Sequence, residues 1–217
     1  MRRRRIHPFI ELTELIIGDR ERDLLPLEEV HGMRFSITGK PGSGKTTVAM
    51  RVRDILSNHG FSAGGIICPE IRLSGRRVGF EIVDLLTGEK GILAHTSISG
   101  PKVGKYGVNL RDLSKIGHNA ILRAIREADY VLIDEIAPME LKSEKFIRAV
   151  EEVLDRGKPL LAVVHMRSKH PLVERVKTLS KTYIVDEKNR GKLPDEIARE
   201  MLGVLKSGGN PNERQER

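Results

Sequence analysis

Cysteine is almost absent from the 217-residue chain, and tryptophan is absent altogether. With Cys68 as its single cysteine, the chain forms no internal disulfide and has no Cys-based zinc site. Because Cys68 ends an apolar run, we expect it to be a buried structural thiol. Aromatic residues make up only 4% of the chain, which argues against RNA recognition by bases stacking on an aromatic sheet.

Long hydrophobic runs are also missing, since none approaches the roughly 20 residues that span a bilayer. The first residues, MRRRRIHPFIELTELIIGD, have the basic start of a signal peptide. Their apolar part is interrupted by Glu11 and Glu14, and no small-residue cleavage site follows. We therefore expect a cytoplasmic protein with no membrane partner.

The formal net charge of +8 is carried by the body of the chain. Residues 1–33 contain six Arg and seven Asp or Glu, and the charges of residues 207–217 cancel. A basic body attracts polyanions, among them nucleotides and nucleic acids. Abundant Lys, Arg and Glu, with one Cys and no Trp, favour a thermophilic source.

The chemistry centres on the stretch GKPGSGKTT, which lies between an apolar strand and the start of a helix. This is the context that a G-x-x-x-x-G-K-[ST] phosphate loop requires. Glycines let the turn wrap tightly and point backbone N–H groups inward, and the helix N-terminus adds partial positive charge. Lys45 is then expected to reach the β- and γ-phosphates, and Thr46 to offer its hydroxyl to Mg²⁺. The predicted nucleoside triphosphate-binding residues are Gly39, Lys40, Pro41, Gly42, Ser43, Gly44, Lys45, Thr46 and Thr47.

A second candidate group ends the apolar strand Tyr130-Val131-Leu132-Ile133. Asp134 and Glu135 follow it, at the carboxyl end of a parallel strand, where open α/β sheets bind ligands. We expect Asp134 to hold Mg²⁺ or its waters. If the backbone turns at the strand exit, Glu135 also reaches the phosphates and deprotonates an attacking water.

Further candidates are more dispersed along the sequence. His165 ends the apolar strand Leu160–Val164, where it would sense the γ-phosphate or position water, although a structural histidine fits equally well. Arg72, with Arg76 and Arg77 near the same turn, would fold over the triphosphate and offset charge in the transition state. Lys105 is predicted to contact the nucleotide from a lid, and Asn189 and Arg190 are predicted to line the pocket for its base.

The element pattern predicts an α/β fold in which strands alternate with helices, giving a mostly parallel sheet with helices on both faces. A hairpin is expected over residues 69–84, and a Gly-rich loop over 96–109. We divide the chain into an N-terminal appendage at 1–30, one domain at 31–206 and a disordered tail at 207–217.

Five segments occur in a characteristic order: GKPGSGKTT, EIR…GRRVGF, GKY, DEIAPMEL and NR. Together they resemble the thermophilic nucleoside-triphosphatase family, whose relatives include a human cancer-related nucleoside triphosphatase. The resemblance covers residues 33–205 and implies a RecA-like P-loop NTPase fold with Leu160–Val164 between the strands at 34–38 and 130–134. It also implies Mg²⁺-dependent hydrolysis of several nucleoside triphosphates, ATP, GTP, CTP and UTP among them. Lys45 and Thr46 match the family's phosphate and magnesium residues, and Glu135 matches its water activator.

Three functions remain in competition at this point. The first is a slow nucleoside-triphosphate hydrolase of broad base preference, acting as a monomer or weak oligomer. The second is a nucleotide or nucleoside kinase, which shares the phosphate loop but does not need Glu135 to activate water, because its nucleophile is a substrate group. The third is a nucleic-acid-linked ATPase, which is suggested by the basic body and by Arg2–Arg5. Nucleic acid is a possible partner but is not favoured.

Overall fold

The computed structural model describes residues 34–207 as one α/β arrangement. The expected appendage at 1–30 and nearly all of the expected tail at 207–217 lie outside these residues, so both stay predictions. No helix between Arg34 and Ser207 combines the length and apolar character needed to cross a membrane.

The strands are β1 Arg34–Gly39, β2 Ala63–Ile67, β3 Glu70–Leu73, β4 Arg76–Asp84, β5 Lys90–His95, β6 Lys102–Val103, β7 Tyr106–Val108, β8 Tyr130–Ile136, β9 Leu160–Val164 and β10 Lys181–Val185. The helices are α1 Lys45–Asn58, α2 Leu110–Asp112, α3 Asn119–Glu127, α4 Glu144–Asp155, α5 Pro171–Thr178 and α6 Leu193–Ser207. A π-helical stretch, Leu113–His118, joins α2 to α3, and a 3₁₀ turn, Glu140–Lys142, precedes α4.

All ten strands of the described residues join one sheet, in the order β10-β1-β9-β8-β2-β4-β5-β7-β6, with β3 paired to β4. The half from β10 to β2 is parallel, and the half from β4 onward is antiparallel. β9 lies between β1 and β8, as the family resemblance implied. The predicted α/β class and the hairpin of β3 and β4 are therefore confirmed, and the hairpin is part of a larger antiparallel extension.

Alternating side chains along β8 and β9 create two cores, one on each face of the sheet. Tyr130 and Leu132 pack with α1 and α6, whereas Val131 and Ile133 pack with α3, α4 and α5. This is the burial expected of parallel strands that are covered on both faces, and it explains their uninterrupted apolar sequences. The sheet therefore holds the carboxyl ends of β1, β8 and β9 rigidly at one edge.

Two local features differ from the sequence prediction. The predicted loop at 96–109 contains two short strands, β6 and β7, because β7 pairs with β5 and β6 with β7, while its other residues are turns and irregular structure. The helix α5 was not predicted, because it is short and buries only Leu172, Val173 and Val176 beneath a charged outer face. Its His170 cap and its proline at the first helical turn are start signals that could have revealed it.

Candidate functional site

The phosphate loop connects β1 to α1 and bends in a way that only glycine tolerates well. Gly44 is the N-cap of α1 with a left-handed φ of 98°, and no side chain caps the helix. A Cβ added to Gly39 would lie 2.6 Å from the carbonyl oxygen of Val185, so the loop passes directly beside β10. The first N–H groups of α1 thus face the loop without a side-chain cap, which is the arrangement that binds anions.

Lys45, the first residue of α1, folds back over this loop. Its Nζ lies 3.4 Å from the Gly39 carbonyl oxygen and 3.3 Å from that of Lys40. Both contacts are long for charge-assisted hydrogen bonds, so they bind the ammonium group only weakly. The positive charge therefore stands at the mouth of the loop, where it is available to a phosphate.

Asp134 and Glu135 both face the same cleft, although they are adjacent on β8. The pairing of β8 with β9 shifts register between Asp134 and Ile136, which leaves Glu135 as an extra residue in the ladder. Such an irregularity redirects side chains that would otherwise alternate between faces. The strand itself continues to Ile136, so this shift, rather than a turn at the strand exit, brings both carboxylates to the cleft.

Asp134 is buried, with 4% of its surface exposed, whereas Glu135 is half-buried. Burial raises the pKa of Asp134 to about 6, and a hydrogen bond with Thr46 opposes that rise. A divalent cation would supply the positive charge that this desolvated carboxylate lacks. Between Arg34 and Ser207 no group of three or more His, Cys, Asp or Glu is placed to hold a metal. One carboxylate and one hydroxyl nevertheless fit Mg²⁺, which takes its remaining ligands from waters and phosphates.

One cleft joins these groups, with a cavity volume of about 1010 Å³. Its walls contain loop residues 39–42 and 44–46, together with Asp134, Glu135, His165 and Arg167. The Nδ1 atom of His165 is buried without a hydrogen-bond partner among the described residues. Lys45, Thr46, Asp134, Glu135 and His165, which are dispersed in the sequence, therefore share one site.

Several predicted contacts do not line this cleft. Ser43 in the loop and Thr47 in the first turn of α1 lie outside the cavity wall, and the Lys105 ammonium lies over the Tyr106 ring. Asn189 caps its own turn through Asp186 and Ile184, so the structure does not place it in a base pocket. Arg190 lies beside the loop: its Cδ is 3.6 Å from the position that a Cβ on Gly44 would occupy.

Arg77, rather than Arg72, is the hairpin arginine that lines the cleft. Arg72 pairs with Glu70 at 2.6 Å and donates to the Gly75 carbonyl oxygen at the hairpin turn. Arg77 donates to Glu70 at 2.6 Å and to the Tyr106 hydroxyl at 3.2 Å, and it lies 5.1 Å from the centre of the Phe80 ring. In this structure Arg77, and not Arg72, lines the cleft, and the expected role of Arg72 at the triphosphate stays a prediction.

Glu140 is a site residue to which the sequence analysis gave no role, although it belongs to the DEIAPMEL segment. Its carboxylate is 2% exposed and accepts a hydrogen bond of 3.1 Å from the Ala137 N–H. Burial, followed by repulsion from Glu135, raises its pKa well above the ordinary value. Glu140 thus fixes the backbone that follows the two carboxylates.

We expect Glu140→Gln to keep the fold, because the amide oxygen can still accept from Ala137. Glu140→Ala leaves that buried N–H without its partner and is expected to cost about 1–3 kcal/mol of unfolding free energy. Because the native pKa is raised, the contribution of Glu140 to stability falls as pH rises above the ordinary glutamate range, since the unfolded chain releases its proton first. Urea unfolding at several pH values tests this, with the advantage of Glu140→Gln over wild type growing as pH rises. An advantage independent of pH would contradict the titration.

Comparison with known proteins gives consistent results. A family model described as NTPase matches residues 34–198. The nucleoside-triphosphatase THEP1 of Methanosarcina acetivorans is 49% identical over 174 residues, which are 80% of this chain and 99% of that protein. The THEP1 of Pyrococcus abyssi is 43% identical over 180 residues, 83% of this chain and 97% of that protein.

Solved structures show the same likeness. The crystal structure of THEP1 from the hyperthermophile Aquifex aeolicus superposes with a TM-score of 0.67 at 33% identity, covering 76% of this chain and 96% of that one. The solution structure of a human cancer-related nucleoside triphosphatase superposes with a TM-score of 0.65 at 30% identity, covering 82% and 99%. With its phosphate loop and cleft carboxylates in place, the chain belongs to the NTPase family of P-loop proteins, together with the THEP1 nucleoside-triphosphatases.

Proposed function

We propose that this protein hydrolyses nucleoside 5′-triphosphates to the diphosphate and phosphate in a Mg²⁺-dependent reaction. The observation that carries the proposal is the presence of Glu135 in the same cleft as Lys45 and Thr46. A kinase takes its nucleophile from a second substrate, whereas hydrolysis needs a group that activates water. The names of the relatives, nucleoside-triphosphatases, support the same assignment.

The chain's own groups divide the work. The N–H groups of the loop and of α1 bind the β-phosphate, and Lys45 contacts the β- and γ-phosphates. Glu135 orients a water beside the γ-phosphorus and takes its proton as the bond between that phosphorus and the β,γ-bridging oxygen breaks. His165, with its buried Nδ1 unpartnered in the described part of the chain, is suited to contact the γ-phosphate.

Magnesium would be held by Thr46 and Asp134, as argued above from the burial of that carboxylate. When bound, it supplies positive charge to the phosphate oxygens.

Slow turnover and broad base preference belong to the same proposal. An arginine that contacts the transferred phosphoryl group accelerates related reactions by roughly 10³–10⁵. Here Arg77 is already paired with Glu70 at 2.6 Å, which supports a low rate. Asn189 is turned to its own backbone rather than toward a base, and Arg190 offers a charge rather than a base-specific pattern.

Phosphate release from ATP, GTP, CTP and UTP tests the proposal, measured with Mg²⁺ and again with excess EDTA. We expect release from all four, abolished by EDTA and unaffected by added RNA, from a monomer or weak oligomer. Exclusive use of one nucleotide would contradict the broad preference. Release only in the presence of RNA would instead favour the nucleic-acid-linked ATPase.

A further inference from the structure

The cleft extends well beyond the groups that hydrolysis requires. Along the sheet, the phosphate loop follows β1, His165 follows β9, and the two carboxylates are on β8. The cavity then continues past β2 to β4, β5 and β6, on the side away from β10 and Arg190. Asp134 and Glu135 therefore stand between a phosphate half and a second half of the same cavity.

The second half is apolar. Its walls include Phe80 on β4, Leu93 on β5, Val103 on β6 and Met139 after β8. Phe80, Val103 and Met139 are partly buried side chains packed against the core, so the walls are held in place. Cys68, which follows β2, lies at the junction of the two halves and also lines the cavity. We call the part of the cavity that is lined by Phe80, Leu93, Val103 and Met139 the apolar compartment.

The cavity, which also receives the triphosphate, is far larger than an attacking water requires. A water molecule takes about 30 Å³ of liquid volume. The whole cavity, at about 1010 Å³, is at the upper end of sites that hold small organic ligands. Asn189 and Arg190, on the β10 side, are not among the residues of its walls.

Charges around the compartment select against an anion. Asp134 and Glu135 line the cavity between its two halves, and an anionic ligand beside these carboxylates would be repelled. Arg77 is the cation on the compartment side, and its guanidinium already lies 2.6 Å from Glu70. Arg167, which also lines the cavity, follows His165 at the phosphate half. The compartment therefore suits an uncharged ligand.

We propose that the apolar compartment binds a small, uncharged, mostly apolar alcohol, and that the protein transfers the γ-phosphoryl group to its hydroxyl. The inference rests on the proposed function, since the nucleoside triphosphate must bind in the phosphate half. The hydroxyl oxygen takes the place of the attacking water and forms a bond to the γ-phosphorus. The bond to the β,γ-bridging oxygen breaks, its electrons remain on the nucleoside diphosphate, and Glu135 accepts the hydroxyl proton. The products are a phosphate monoester and the nucleoside diphosphate.

The experiment measures nucleoside diphosphate and inorganic phosphate separately during ATP turnover by the full chain. The probes are benzyl alcohol and cyclohexylmethanol, with para-hydroxymethylbenzoate as an anionic match and glycerol as a polar one. We expect diphosphate to exceed phosphate with the two neutral apolar alcohols only, and phosphorus NMR to show their monoesters. Equal diphosphate and phosphate with both of them overturns the proposal, and efficient use of the benzoate contradicts the charge argument.

Val103→Phe is designed to fill the compartment, and we expect it to bring the ratio of diphosphate to phosphate back to one in benzyl alcohol. Leu73→Phe is the matched control, because Leu73 is 68% exposed at the hairpin and outside the cavity, and it should keep the wild-type ratio. Thermal unfolding of both variants checks their folding, and the wild-type ratio of diphosphate to phosphate is informative without either variant.

Phosphate release without alcohol separates the proposed hydrolysis from the proposed transfer to an alcohol. Equal products there and with the neutral alcohols support hydrolysis alone, whereas diphosphate formed only with an alcohol supports transfer and overturns the proposed hydrolysis.

Discussion

Glu135→Gln is expected to lower phosphate release from every nucleoside triphosphate by about 10²–10⁴-fold while leaving nucleotide affinity unchanged. Glutamine has the size of glutamate but cannot accept the proton of an attacking water. The groups assigned to binding, Lys45, Thr46 and Asp134, remain in place. Steady-state phosphate release and equilibrium titration with a fluorescent ATP analogue measure the two properties separately.

The matched control is Glu127→Gln on α3. The Glu127 side chain is 55% exposed, and its ion pair with Arg126 is long, at 3.9 Å. This control should behave as wild type in both measurements. A Glu135→Gln variant with wild-type turnover would remove Glu135 from the mechanism. Loss of affinity together with turnover would instead assign Glu135 to binding the nucleotide.

The parts of the site that the sequence predicted are those encoded locally. The phosphate loop is nine consecutive residues whose conformation follows from glycines and a helix start. In the structure it lies between the end of β1 and the start of α1, as the motif predicts. The positions of Asp134 and His165 follow from uninterrupted apolar strands, because parallel strands bring their carboxyl ends to the same edge of a sheet. Their side-chain roles remain predictions.

The hairpin arginines show where local reasoning stops. A β-bulge interrupts the pairing of β3 and β4 between Ile71 and Arg72, and a register shift exchanges the faces to which side chains point. The sequence contains three arginines near one turn and no marker of the bulge, so it cannot decide which of them reaches the cleft. The structure selects Arg77, which also stacks on Phe80 and pairs with Glu70.

The apolar compartment could not be predicted from the sequence for a related reason. Phe80, Leu93 and Val103 belong to three different strands, and each one alone looks like an ordinary core residue. They come together because the antiparallel extension continues the sheet past β2, and the order of those strands is set by long-range pairing. A cavity is a property of that tertiary order rather than of any segment.

Lys45→Ala is expected to weaken nucleotide binding by about 10²–10⁴-fold, and turnover is lost with it. A hydrogen bond to a charged group contributes about 1.5–3 kcal/mol, Lys45 is expected to make two of them to the β- and γ-phosphates, and about 1.4 kcal/mol is tenfold in affinity. Because Lys45 Nζ makes only long contacts to the Gly39 and Lys40 carbonyl oxygens, its removal should change stability little.

Titration with the fluorescent ATP analogue, beside thermal unfolding, distinguishes lost affinity from lost folding. Lys145→Ala on α4 is the control, since it removes an exposed lysine far along the chain from the loop and should bind as wild type. The comparison with Glu135→Gln is decisive, because Lys45→Ala is expected to lose nucleotide affinity, whereas Glu135→Gln is expected to keep affinity and lose turnover. If Lys45→Ala and Glu135→Gln bind the nucleotide equally well, the phosphate-binding role of Lys45 is wrong. The affinity of the cleft would then have to come from the N–H groups of the loop and of α1.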